Sequence, residues 1–354
     1  MISPSPAAAP AGHTGAPMCV TFTPNPSLDI TLRAGEAIVR DEVHRMDEVT
    51  TDAGGKGINV ARALSAHGLP VYAVVPCDPQ DPFVRLVSLT RTRFEIIPTD
   101  QPVRVNTTIT EPGGHTTKLN GPGPVFDPGV WQATETLLSR RAAGARWLVM
   151  AGSLPPQAAD DTYPALAVAV KQHCPQLNIA VDTSGAALAA AADPARVSGV
   201  DLLAPNAHEL VCVLHGHAPA TADDCRRRAR HAEQAAAAGD TGPARRLLED
   251  YSARCARGGV PAPTVLLTLG AAGAMLLQEG TLFFAAAPKV PVASTVGAGD
   301  CALAGYIAAE STGAEPDRAL AAAVTWGSAA ATIPGTGIPG PEVLADCPVD
   351  VVEL

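Results

Sequence analysis

Lysine is scarce in this chain of 354 residues: there are four, Lys56, Lys118, Lys171 and Lys289. With 25 Lys+Arg against 35 Asp+Glu the formal charge is −10. A surface that binds nucleic acid or an anionic membrane by releasing counterions needs clustered positive charge, which this composition does not supply. A small anionic substrate stays open, because it needs only a local basic pocket. Eight cysteines stand singly, with no CxxC pair and no His at zinc-ligand spacing. That argues against a disulfide framework or a zinc site and fits reduced thiols in a cytoplasmic protein. No apolar stretch reaches the ~18 residues of a membrane span without Gly, Pro or a charge interrupting it. Residues 1–17, rich in Pro, Ala, Gly and Ser, lack the basic and apolar regions of a signal peptide and read as a disordered tail.

What is present, 47% hydrophobic and 17% charged residues, is enough for a large folded core. Short apolar runs with β-branched residues recur at Cys19–Phe22, Val71–Val75, Trp147–Met150, Leu177–Val181, Leu202–Ala204 and Val265–Leu269, most of them followed by helical periodicity. This alternation predicts an α/β chain with a largely parallel sheet covered by helices. One predicted helix, Ile58–His67, stops at Gly68. Two segments break the rhythm. Ile30–Thr50 is polar and strand-like, and Val103–Lys118 reads as a hairpin through a Pro-Gly-Gly turn; together they predict a small β flap over the main sheet. Between Thr221 and Gly259 lie two charged helical stretches, Arg226–Ala238 and Ala244–Arg257, whose arginines read either as a docking patch or as a solvated face offset by Asp and Glu.

The strongest local signal is Ser294-Thr-Val-Gly-Ala-Gly-Asp300 leading into a helix. Glycines at a helix start let backbone N–H groups converge, and the helix dipole draws an anion to that point. An Asp there either stabilises the helix or takes a proton from a hydroxyl attacking a bound phosphate. A second glycine turn, Asp52-Ala-Gly-Gly-Lys-Gly-Ile-Asn59, also precedes a helix. It is not a phosphate loop of the Gly-Lys-Ser/Thr kind, because Gly57 follows Lys56. Thr23-Pro-Asn-Pro-Ser-Leu-Asp29 places Asp29 after the first strand, at the carboxyl edge where open α/β sheets bind ligands; alone it is also an Asx-turn residue. Asn206 and Glu209, three apart at a helix start, have capping-box spacing. Thr268-Leu-Gly-Ala-Ala-Gly273 reads as a tight hairpin.

Taken together and in order, these segments resemble the ribokinase-like PfkB carbohydrate kinases, and within them the branch containing 1-phosphofructokinase and tagatose-6-phosphate kinase. Ala53-Gly-Gly-Lys-Gly-Ile-Asn-Val-Ala-Arg62 and Ala151-Gly-Ser-Leu-Pro-Pro156 add to the likeness, which runs from about Met18 to Ile338. The resemblance implies a three-layer α/β/α sandwich over residues 18–354, with a β lid at about 30–50 and 103–119 and a helical excursion at about 221–259. It implies an ATP- and magnesium-dependent phosphotransferase acting on a sugar phosphate, most directly fructose 1-phosphate at its 6-hydroxyl, with tagatose 6-phosphate and fructose 6-phosphate as alternative acceptors. Asp300 would be the base, and Gly297, Ala298 and Gly299 the anion hole. Thr268, Leu269, Gly270, Ala271, Ala272, Gly273, Asn206, Gly299 and Ser328 would border the nucleotide, with Gly335–Gly337 beside the adenine. Glu209, with Asn206, would order the magnesium through water. Asp29, Gly54, Gly55 and Asn59 would hold sugar hydroxyls, Lys56 and Arg104 the phosphate already on the substrate, and Ser153 the floor. Lids of this family often mediate dimers, which implies a homodimer here.

Two departures stand out. Where the family has a glycine-rich stretch after the second core strand, this chain reads Val75-Pro-Cys-Asp-Pro-Gln-Asp-Pro82: Asp78 and Asp81 remain and the glycines do not. That motivates a second reading, a non-catalytic sugar-phosphate sensor. The other departure is the length of the Thr221–Gly259 excursion.

Overall fold

The computed structural model describes residues 18–196, 199–216 and 222–354; the predicted N-terminal tail and Thr221 lie outside the described residues. Strands β1 (Cys19–Phe22), β2 (Ser27–Ala34) and β3 (Met46–Gly54) lead into helix α1 (Lys56–Ala66), then β4 (Val71–Cys77), α2 (Pro82–Ser88), β5 (Arg93–Pro98), β6 (Arg104–Thr110) and β7 (Thr116–Asn120). Next come α3 (Pro128–Ala142), β8 (Trp147–Ala151), α4 (Thr162–His173), β9 (Asn178–Asp182), α5 (Gly185–Ala191), β10 (Leu202–Leu203), α6 (Ala207–His215), α7 (Ala222–Ala237) and α8 (Gly242–Arg257). The chain closes with β11 (Thr264–Thr268), β12 (Gly273–Gln278), β13 (Thr281–Ala286), α9 (Ala298–Ser311), α10 (Pro316–Ala331), α11 (Pro341–Ala345) and β14 (Val351–Glu353).

Ten strands form the main sheet, in the order β14-β13-β12-β11-β10-β9-β8-β1-β4-β5, parallel from β5 to β11 and antiparallel beyond. Its side chains alternate between two separate hydrophobic clusters, as a period of two requires. Val20, Phe22, Leu148, Met150, Ile179 and Val181 pack on the face covered by α3–α8, while Trp147, Val149, Ala180 and Leu266 pack on the face covered by α1, α2, α9 and α10. The result is the three-layer sandwich.

A second sheet of four strands, in the order β3-β2-β6-β7, stands apart from the first. The predicted flap segments contribute to it with shifted limits: strand pairing begins at Ser27 and ends at Gly54, and no strand forms over residues 35–45. Register sorts its side chains. Ser27, Asp29, Arg104, Asn106 and Gly54 share one face, and Leu28, Ile30, Leu32, Val49, Val105, Ile109 and Leu119 the other.

Two expectations need correcting. Helix α1 begins at Lys56 and not at Ile58, with Gly55 as its cap at φ 129°; Gly55 lets the chain turn directly from β3 into the helix. Asp29 lies inside β2 of the small sheet instead of in a turn at the main sheet's edge, because Pro24 and Pro26 end β1 and the chain then resumes as a new strand. The excursion helices α7 and α8 are part of one layer: Cys225, Ala229, Leu248 and Tyr251 are buried in the same cluster as α3–α6. Their arginines 226, 227 and 228 share the carboxylates of Asp223 and Asp224 in exposed ion pairs within α7, as a solvated helix face does.

Candidate active site

Five segments meet at the carboxyl ends of the parallel strands, where such sheets place their ligands. At the centre is Asp300, in the first turn of α9 and 6% exposed. Asn59 Nδ2 donates to its Oδ2 at 2.7 Å, so the start of α1 and the start of α9 are joined across 241 residues of sequence. Burial, and then the neighbouring carboxylate of Asp182, push the Asp300 pKa up to about 7, against the opposing pull of Lys56 and Asn59. A carboxylate tuned to that range is suited to accept a proton at neutral pH.

Just ahead of Asp300, Gly297 caps α9 in a left-handed conformation at φ 79°, with no side chain bonded to the helix start. Of the N–H groups of that turn, that of Ala298 reaches the Thr295 carbonyl at a long 3.4 Å, and no side chain caps the turn. A Cβ on Gly299 would meet nothing within 4 Å, so the approach to this turn is open. Beside it, the carbonyl of Ala298 lies 3.1 Å from where a Cβ of Gly327 would stand, which brings α10 and its Ser328 alongside. Thr336, within the 335–337 loop, lies against Gly297.

The second helix start at the site is α6. Asn206 Oδ1 accepts from the Glu209 N–H at 2.9 Å and Glu209 Oε2 accepts from the Asn206 N–H at 2.8 Å, a complete capping box. Asn206 also bridges to Thr268 at the end of β11, whose N–H donates to Pro205. The tight turn through Gly270–Ala272 follows, joining β11 to the antiparallel β12 as the sequence predicts. Thr268–Gly273, Asn206 and Glu209 thus form one edge of the site. Among the described residues no cluster of three or more His, Cys, Asp or Glu is poised to enclose a metal. The donor set, one part-buried carboxylate with a free oxygen beside a side-chain amide, fits an ion that keeps most of its water and leans on phosphates.

The small sheet supplies the opposite wall. Asp29 accepts from Ser27 Oγ at 2.7 Å and from Asn106 Nδ2 at 2.9 Å. A Cβ on Gly54 would collide with the Asp29 carboxylate, so glycine is what permits their approach. Arg104 donates through Nε to the Asn25 carbonyl at 3.1 Å. Burial lowers its pKa, and Asp29 offsets part of that. A half-buried guanidinium with spare donors is a natural anion receptor.

Several predicted residues are therefore brought together: Asp300, Gly297–Gly299, Asn59 and Lys56 at the centre, Asp29, Gly54 and Arg104 on one side, and Asn206, Glu209 and Thr268–Gly273 on the other. Ser153 lies in the loop after β8, its buried Oγ without a hydrogen-bond partner, next to Gly152, whose N–H donates to the Asp182 carbonyl. Orphaned buried oxygens also belong to Thr23, Asn25, Asn59 and Asn106. Polar atoms of this kind are costly unless a ligand or water meets them.

Three residues escape the sequence reading. Asp182, at the end of β9, forms a 2.6 Å ion pair with Lys56. The apolar run ended one residue before it, and a carboxylate closing a parallel strand was the available signal. Asn25, 2% exposed, donates to the carbonyls of Pro122 and Leu154, and Asn106 supports Asp29. Neither has a local signal, because the Asn25 contacts join loops far apart in sequence and the Asn106 contact crosses from β6 to β2 within the small sheet. Asp78 and Asp81 have local duties: Asp78 accepts from the Gln80 N–H, and Asp81 caps α2 through the Phe83 N–H while its other oxygen holds the Val103 N–H.

Comparison with known proteins follows the same lines. Residues 23–343 match the model of the pfkB family of carbohydrate kinases. The chain is 30% identical to a 1-phosphofructokinase of Rhodobacter capsulatus, over 92% of this chain and 94% of that protein. It is 31% identical to a 1-phosphofructokinase of Haloferax volcanii, over 91% and 93%. Its fold is similar to phosphofructokinase-2 from Escherichia coli in complex with fructose-6-phosphate, with a TM-score of 0.74 at 22% identity over 92% and 96% of the two chains. It is also similar to Arabidopsis thaliana ribokinase complexed with ribose and ATP, with a TM-score of 0.64 at 18% identity over 94% and 98%. The architecture is thus ribokinase-like. The chain belongs to the pfkB family of carbohydrate kinases, phosphotransferases that act on a sugar hydroxyl with ATP as the donor implied by the family.

Proposed function

We propose that this protein is a hexose-phosphate kinase that transfers the γ-phosphoryl group of ATP to the 6-hydroxyl of fructose 1-phosphate. The observation that carries the reading is Asp300: a buried carboxylate with a pKa of about 7, the third residue of a glycine-led helix start that no side chain caps. The relatives' names support the choice of acceptor. Residues 18–354 act as one kinase domain with the four-stranded sheet as its lid.

In the reaction, Asn59 holds Asp300 so that one carboxylate oxygen faces the acceptor hydroxyl. Asp29, braced by Ser27 and Asn106, orients other hydroxyls, and the orphaned oxygens of Ser153 and Asn59 accept from the sugar. Arg104 receives the resident phosphate. The oxygen of the 6-hydroxyl bonds to the γ-phosphorus, the bond from that phosphorus to the β,γ-bridging oxygen breaks with its electron pair leaving on ADP, and the hydroxyl proton passes to Asp300. N–H groups of residues 297–300 meet the charge on the transferring oxygens. Magnesium would be held by Glu209, with Asn206 through water, and would neutralise charge on the phosphates.

A second copy of the chain covers the outer face of the lid, where Val49 is 60%, Val105 42% and Leu119 58% exposed; such a patch favours burial in a dimer. Eight free cysteines support a reducing, cytoplasmic setting.

A coupled ADP-release assay over fructose 1-phosphate, fructose 6-phosphate, tagatose 6-phosphate and free sugars tests the reading. Fructose 1-phosphate is expected to give the highest kcat/KM. Turnover of none of them would sink the assignment and favour the sensor.

A further inference from the structure

Lys56 and Arg104 share one expectation, the phosphate already on the sugar, yet the fold sends them to different places. Arg104 belongs to the lid strand β6, and the one carboxylate acting on it is Asp29. Lys56 opens α1 and meets three other carboxylates: its Nζ is 2.6 Å from Asp182 Oδ1, and Asp300 and Glu209 also act on its charge. These are the proposed base and the proposed holder of the nucleotide's metal. They flank the path of the group in flight, and although Asp29 acts on Asp300 as well, the carboxylates that act on Lys56 are Asp182, Asp300 and Glu209.

We propose that Lys56 serves the phosphoryl group being transferred, not the phosphate resident on the sugar, and that Asp182 is the positioning residue that keeps its ammonium there. This rests on Asp300 being the base. As the sugar oxygen bonds to the γ-phosphorus and the bond to ADP breaks, charge spreads over the three equatorial oxygens, and an ammonium beside them stabilises that state. A lysine on a four-carbon stem needs an anchor to be in place beforehand. Asp182 is suited to be one: its side chain is 5% exposed while that of Lys56 is 40% exposed. It is itself fixed by β9 and by the Gly152 N–H on its carbonyl. Burial alone would depress the Lys56 pKa, but its carboxylate neighbours more than reverse this and keep it charged. Asp182 also lets the free enzyme hold that charge without a phosphate present.

The test is a set of kcat and KM values for the sugar phosphate at saturating Mg-ATP. Lys56→Met is expected to lower kcat by ~10²-fold with KM within about 3-fold, and Asp182→Asn to lower kcat by ~10-fold in the same manner. Arg104→Met is expected to do the reverse, raising KM by ~10-fold or more with kcat little changed. The double variant K56M/D182N should be no worse than K56M, as for two residues acting as one unit. It also leaves no orphaned carboxylate, so it reports if K56M alone folds poorly. A KM raised ~10-fold in K56M with kcat unchanged, or D182N indistinguishable from wild type, would overturn the proposal. Should the wild type turn over no sugar phosphate, the kinase reading falls and the transfer role of Lys56 falls with it; calorimetric binding of fructose 1-phosphate to K56M/D182N then tells the two failures apart, since a ~10-fold loss of affinity also overturns the exclusion of Lys56 from the resident phosphate and unchanged affinity upholds that exclusion.

Discussion

Helices α6 and α9 both begin at the site, and they treat their first-turn N–H groups in opposite ways. Helix α6 closes on itself, with Asn206 and Glu209 satisfying each other's backbone. Helix α9 is led by a left-handed glycine and has no side-chain cap. The positive end of a helix is available to a ligand only where the chain has not already answered it. The capped start can position an ion through what remains of its carboxylate. The uncapped start can meet an anion directly.

The largest effect should come from the open start. Asp300→Asn is expected to lower kcat by at least ~10²-fold. In the wild type, kcat/KM should rise with pH through about 7 as Asp300 ionises. The same variant should be more stable near pH 8. With its pKa raised in the folded state, Asp300 binds more protons folded than unfolded between about pH 4 and 7, so wild-type stability falls as pH rises across that window. Thermal melts of the two proteins at pH 5 and pH 8 measure the difference, which should grow with pH. A smaller melting temperature for the variant at pH 8 would break the account.

Gly299→Ala comes next. Its Cβ would meet no protein atom, so melting should stay within about 1 °C of wild type, while kcat/KM falls ~10- to 10²-fold as the methyl group obstructs the anion. Unchanged kinetics would show that no phosphate approaches α9. Gly54→Ala should raise the sugar-phosphate KM by ~10-fold, because the new Cβ would collide with the Asp29 carboxylate and displace it. Smallest is Asn206→Ala at the closed start, where loss of the cap should cost ~1 kcal/mol, read by urea titration. A kcat loss as large as that of Gly299→Ala, without loss of stability, would erase the contrast between the two helices.

How much of this was legible depended on sequence distance. Strands such as Trp147–Ala151 announce themselves as apolar runs, and the capping box is a matter of two residues three apart. The glycine-led start of α9 is equally local. Asp29 and Asn106 are 77 residues apart and Asn59 and Asp300 are 241 apart; such partners are set by sheet register and layer packing, for which no short segment carries a signal. The Lys56–Asp182 pair, 126 residues apart, is the same case. The chemistry of each group could be read, but not which group it would face.

The loop between β4 and α2 carries one more consequence. Asp81 grips the start of α2 with one oxygen and the residue before the Arg104 strand with the other. Between Pro79 and Pro82, this chain thus has a prolyl-braced strut that ties the main sheet's α2 to the small sheet. On the function proposed above, choice among sugars would then be a question of tilt: whatever resets the angle of that strut would move Arg104, and with it the length of substrate that could lie between the small sheet and Asp300.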